Sequence, residues 1–157
     1  MSESPASRAM SLPFAVEACW TTSKYSKLDD YVRLMPDTSN NFNVGVGQAL
    51  SALFHNDNEL FTTTIQHLQR ITAQSLSTTN TSSLQECHQY MLQFHVLAEV
   101  ETIGCSAGRI DFEKPNLLKS LNQRLDILGP FMADKQYILA LRRATMELAG
   151  YVILCQA

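Results

Sequence analysis

A chain of 157 residues has the length of one domain, enough to bury a core without metals or disulfides. Apolar residues make up 45% of it and charged residues 17%, against a typical ~25% charged, so its polar surface leans on Ser, Thr, Asn and Gln. A net charge of −3 with no basic stripe argues against direct nucleic-acid binding, which needs Lys and Arg to neutralise phosphates.

The opening MSESPASRAMSLPF lacks the long apolar core of a signal peptide. No apolar run approaches the ~20 residues that cross a bilayer. Cys19, Cys87, Cys105 and Cys155 are scattered, without the close pairs of a structural zinc site. They are expected to be small core hydrophobes in a reducing intracellular compartment.

Residues 1–10 are polar and expected to be a disordered tail. From Leu12 to Thr21 the apolar density predicts a buried helix ending in the chain's one Trp, Trp20. Ser23 and Lys24 break it. Ser26, with Asp29 three residues on, predicts the cap of a second helix, whose stripe is Leu28, Tyr31, Val32 and Met35. Pro36 disfavours helical geometry at Met35 and stops it. A third helix begins near Phe42 or Asn43 with Val46, Ala49, Leu50 and Leu53 as its stripe. Asn56, with Glu59 three residues on, reads as the start of a fourth. Phe61, Ile65, Leu68 and Ile71 line that helix up to a polar run near Leu76.

Ser83 and Glu86 form a capping-box pattern for a fifth helix, free of Gly and Pro from Leu84 to Ile103. Leu84, Cys87, Met91, Phe94 and Ala98 make one face, and Leu92, Val96, Val100 and Ile103 a second. Such a helix is sandwiched between neighbours. Pro115 suits the first turn of a sixth helix, with Leu118, Leu121, Leu125 and Leu128 on its buried side and Gly129-Pro130 as its end. A seventh spans about Asp134 to Ala149, with Ile138, Leu141, Thr145 and Leu148 on one face and Arg142 and Arg143 in solvent. Nothing alternates with period two before the closing "YVILC". The chain therefore reads as all-α, roughly seven helices in antiparallel hairpins. Periodicity leaves open whether these close into a bundle or stack as a solenoid.

Few residues suggest chemistry. Val44-Gly45-Val46-Gly47 lacks the third Gly and the preceding strand of a dinucleotide loop, and reads as close helix packing. His88 and His95 are seven apart, whereas metal-binding pairs on helices stand three or four apart. Cys87 and His88 are adjacent and point about 100° apart, so they do not face each other. Asp29-Asp30 and Glu99/Glu101 read as solvated helix faces. Asn80-Thr81-Ser82 is a glycosylation sequon without a secretory signal. The Ser/Thr run 75–83 reads as a helix connection, with phosphorylation as the alternative. No residue is assigned a catalytic, cofactor-binding or metal-binding role, and no cofactor is expected.

One stretch carries more. "EACWTTSKYSKLDDYV" resembles a recurrent corner of the FAT domain of phosphatidylinositol-3-kinase-related protein kinases. That corner is an Ala-x-Trp, a small residue at the turn, an aromatic, then Leu-acidic-x-Tyr-aliphatic. Here these are Ala18, Trp20, Ser23, Tyr25, Leu28, Asp29, Tyr31 and Val32. The family often has Gly at the turn and Trp after it, where this chain has Ser23 and Tyr25. Three further stretches, "FNVGVGQALSAL", "SLSTTNTSSLQECHQYMLQFHVLAEVE" and "RLDILGPFMADKQYILALRRATMEL", resemble the ATR-type checkpoint kinases in particular, with a fungal member expected.

The resemblance covers about residues 12 to 148 and implies a tetratricopeptide-like α-solenoid, with Trp20 plugging the seam between hairpins and Ser23 making the corner. It implies segments 1–10 (tail), 11–149 (FAT-type repeats) and 150–157 (outside the family pattern). It also implies a non-catalytic scaffold of a nuclear serine/threonine kinase acting in DNA damage checkpoint signalling and DNA repair. The expected partners are the kinase domain, neighbouring helical repeats and a second copy, with no nucleic acid, membrane or small-molecule partner. The alternative is a free-standing tetratricopeptide-like adaptor, which calls for clustered Asn, Arg or Lys on a concave face. A small helical enzyme would need converging titratable groups.

After Leu148 the chain reads "AGYVILCQA". Gly150-Tyr151-Val152 is encodable by a sequence containing GTATGT, a common fungal splice donor, so the tail is expected to be translated intron or a truncated gene end. Sequencing the mature transcript across this region is expected to show the tail spliced out; a stop retained after Ala157 would contradict it. The uncharged, β-prone tail also predicts marginal stability or self-association of the isolated chain. A sharp melt independent of concentration would count against that.

Overall fold

The computed structural model describes residues 5–34, 40–79, 83–105 and 115–150. Among them stand seven helices and no strand: α1 (Pro5–Thr21), α2 (Tyr25–Arg33), α3 (Phe42–Phe54), α4 (Asn58–Thr78), α5 (Leu84–Gly104), α6 (Pro115–Ile127) and α7 (Met132–Leu148). The all-α reading and the number of helices hold. The closing "YVILC", with Cys155, lies outside the described residues, as do Met35, Pro36 and the sequon 80–82. Two compact units divide within α4, the first ending at Leu68 and the second beginning at Gln69.

α1 begins at Pro5, which corrects the expectation of a structureless segment over Pro5–Met10. A proline at the first helical position loses no intrahelical bond and is preset in φ. Composition alone does not register that effect.

α1 ends in a Schellman motif. The Lys24 amide donates to the Cys19 carbonyl (2.9 Å) and the Ser23 amide to the Trp20 carbonyl (3.4 Å), with Ser23 left-handed at φ 56°. α3 ends the same way. Asp57 donates to Ala52 (2.9 Å), Asn56 donates to Leu53 (3.0 Å), and Asn56 has φ 57°. Trp20, Ser23 and Leu28 in the first corner thus share their steps with Leu53, Asn56 and Phe61 in the second, and all four large apolar side chains are buried. This is a shared corner geometry. It escapes sequence inspection because the two corners share geometry and burial but no residue at these steps.

Two expected caps move. Asn56 is the left-handed residue of the turn; Asp57 caps α4 instead, its Oδ1 accepting from the Leu60 amide at 2.9 Å. α2 has Lys24 at its N-cap position with no side-chain cap bond, and Asp29 is turned into the protein rather than back toward Ser26. The starts of α3 and α5 agree. Asn41 Oδ1 accepts from the Asn43 and Val44 amides at the head of α3, and Ser83 caps α5 through the Glu86 amide.

In the first unit α1, α2 and α3 pack on one another. Tyr25 lies near Phe54, Asp29 meets Ser51, and Val32 comes near Gly47, so α2 and α3 run antiparallel. Gly45 and Gly47 are both buried within α3. A Cβ on Gly47 would fall 2.5 Å from Val16 Cγ1 and 3.4 Å from Leu28 Cδ1. One on Gly45 would collide with the Leu68 side chain. The pair does what small residues do at a helix crossing.

In the second unit Gln69 reaches Glu101 and Thr72 reaches Gln93, which makes this part of α4 antiparallel to α5. His88 meets Asp134 and Glu99 meets Arg142, so α5 and α7 run parallel, as alternate helices of stacked hairpins do. Ile103, Leu121 and Ala149 form a core cluster with Leu117 and Met146 against it. The two-faced reading of α5 holds for its C-terminal half, where Val96, Leu97, Val100 and Ile103 are buried. It fails for the N-terminal half: Leu84 is 85% and Met91 52% exposed.

Four substitutions test this packing. Ser23→Gly removes a Cβ from a left-handed residue, a strain of ~1–2 kcal/mol, and is expected to raise stability by about 1 kcal/mol, while Ser23→Val lowers it. Gly47→Ala is expected to cost about 1–3 kcal/mol because Val16 is β-branched, buried and stiff. Gly45→Ala should cost less, since Leu68 can change rotamer. Urea denaturation measures all four.

Candidate functional site

Among the described residues, the buried polar groups that the fold brings together include two clamps, one in each unit. The first centres on Asp29 of α2. Its Oδ1 accepts from the Ser51 hydroxyl (2.6 Å) and lies 2.9 Å from His55 Nε2; its Oδ2 lies 2.9 Å from Arg33 Nη2. Ser51 is buried within α3 and His55 stands at that helix's C-terminus, so one carboxylate pins α2 to α3. The Ser51 bond, followed by those of His55 and Arg33, holds the Asp29 carboxyl below its ordinary range, against burial, which works to raise it.

A Ser, a His and an Asp in contact invite comparison with a nucleophilic triad. The wiring is different. In a triad the hydroxyl bonds the imidazole, which bonds the carboxylate. Here the hydroxyl and the imidazole both bond the same carboxylate oxygen. The Ser51 proton is directed at Asp29, which is a structural tie.

The second clamp centres on Arg142 of α7, 7% exposed, and Glu99 of α5, 3% exposed. Arg142 Nε donates to Glu99 Oε2 (3.1 Å) and Nη2 to Glu99 Oε1 (2.8 Å), a two-pronged pair. Nη2 also donates to the Leu121 carbonyl (2.8 Å) and Nη1 to Asn122 Oδ1 (2.9 Å), both on α6. One guanidinium therefore ties three helices. This corrects two expectations, Arg142 in solvent and Glu99 on a solvated face. Ile138, Leu141, Ala144 and Thr145 are all buried, so the inward face of α7 is wide enough to take in Arg142. Arg143 is exposed, as expected, and lies 3.9 Å from Glu147.

The other singled-out residues do not converge. His88 Nε2 lies 2.8 Å from Asp134 Oδ2 and its ring packs on Phe131 (4.9 Å), while His95 is half-buried elsewhere on α5. Asp30 is exposed, and Glu101 accepts from Gln69. Cys19 is buried, and burial pushes its thiol up. Cys105, though exposed, is also pushed up, by burial first and then by the Glu101 charge. Among the described residues no group of His, Cys, Asp and Glu is arranged to hold a metal, and no helix is long and apolar enough to cross a membrane.

The clamp residues thus describe a helical framework held by internal ties. The FAT domain family matches residues 12–154. The chain belongs to that family. The FAT domain is a non-catalytic helical scaffold of the phosphatidylinositol-3-kinase-related kinases. No curated protein and no solved structure matches the chain. The match runs into the closing segment 150–157 that the sequence reading set apart.

The FAT corner now has a physical reading. Trp20 is fully buried, Ser23 is the left-handed turn residue, and Tyr25 faces Phe54 with ring centroids 6.4 Å apart. Leu28 is buried close to Gly47. The acidic position, Asp29, is the inter-helix clamp. A left-handed residue at the turn explains why Gly suits that place in the FAT pattern.

Removing one partner of the buried pair leaves a charge stranded. Arg142→Met is expected to cost about 3–5 kcal/mol, and the double variant Arg142→Met/Glu99→Leu to recover most of it. Denaturation of the single and double variants checks this. For Asp29 the sign follows from its lowered folded-state affinity for the proton. Its contribution is full above the unfolded carboxylate value near 3.8 and is lost as pH falls through the lower folded value. The stability gap between the native chain and Asp29→Asn should therefore be constant near neutrality and narrow below about pH 4.

Proposed function

We propose that this FAT chain is a scaffold segment of an ATR-type checkpoint kinase, working in the nucleus in DNA damage signalling and DNA repair. Its role is mechanical. It holds the kinase domain and neighbouring helical repeats in place and contributes to dimerisation, and it performs no chemistry of its own. The observation that carries the reading is the FAT match over residues 12–154, together with the corner whose turn, aromatic and acidic positions are Ser23, Tyr25 and Asp29. The ATR-type assignment draws support from the three further stretches that resemble that class, which lie on α3, on α4 and α5, and on α6 and α7.

The two clamps fit such a role. A scaffold passes force and position through helices that keep a fixed register. Buried polar ties with directional bonds fix register more narrowly than apolar contact does. The wiring of Asp29, Ser51 and His55 favours support over catalysis as well.

An epitope tag placed at the native gene tests the proposal. The tag is expected to mark a nuclear protein that copurifies serine/threonine kinase activity, rising after replication stress. Arg142→Met in that protein is expected to reduce the activity without any change in the kinase domain. A tagged product that brings down no kinase activity under any condition would overturn the reading and favour the free-standing adaptor.

A further inference from the structure

We draw no further inference here: the strongest candidate, the exposed apolar corner between α6 and α7 formed by Ile127, Phe131 and Met132 beside His88 of α5, carries nothing because nothing in the structure shows what covers it and the neighbouring charges of Arg124, Asp126, Asp134 and Lys135 balance in sign.

Discussion

The second unit depends on one guanidinium. Moving Arg142 and Glu99 out of water costs several kcal/mol for each ion, and their attraction offsets this only if the geometry is good and the remaining donors are satisfied. The geometry is good, and four of the five N–H groups of Arg142 are bonded. The pair is two-pronged, and the other bonds of Arg142 go to Leu121 and Asn122. Because these partners sit on α5 and α6, the charge cannot be satisfied unless all three helices stand in register. An apolar contact tolerates sliding by a fraction of a turn, and this arrangement does not.

The first unit solves the same problem with less charge. Asp29 is the hub, and Ser51 and His55 are its partners across the helix crossing, with Arg33 one turn further along α2. Around it the crossing is made close by Gly47 under Val16 and Leu28, and the corner is made tight by the left-handed Ser23. Gly47 lets α3 come close to Val16 of α1, while Leu28 and Val32 of α2 stand at ordinary contact distance from it and the Asp29–Ser51 bond fixes α2 against α3.

Most of the helices were legible from pattern, since apolar stripes and caps such as Ser83 and Pro115 are local signals. What the sequence did not show is where polar residues go. Arg142 lies one position past Leu141, off the stripe by about 100°, and an off-stripe charge is normally solvated. Glu99 offered a clue. It sits between Val96, Leu97 and Val100 on a helix read as buried on more than one side, where a carboxylate needs a partner. Which cation supplies it, forty-three positions along the chain, is a tertiary fact. Asp29 misled for a related reason: the local Ser-x-x-Asp pattern suggested a cap, and long-range bonds to α3 won. Leu84 and Met91 show the opposite error, since a helical stripe does not say how far along the helix its neighbours extend.

Amide hydrogen exchange of the Arg142→Met chain, read helix by helix, tests the central claim most directly. If one guanidinium holds three helices in register, α5, α6 and α7 lose protection together and by similar factors. Loss confined to α7, with α5 and α6 exchanging as in the native chain, would show that the clamp is a local contact and that the packing stands without it.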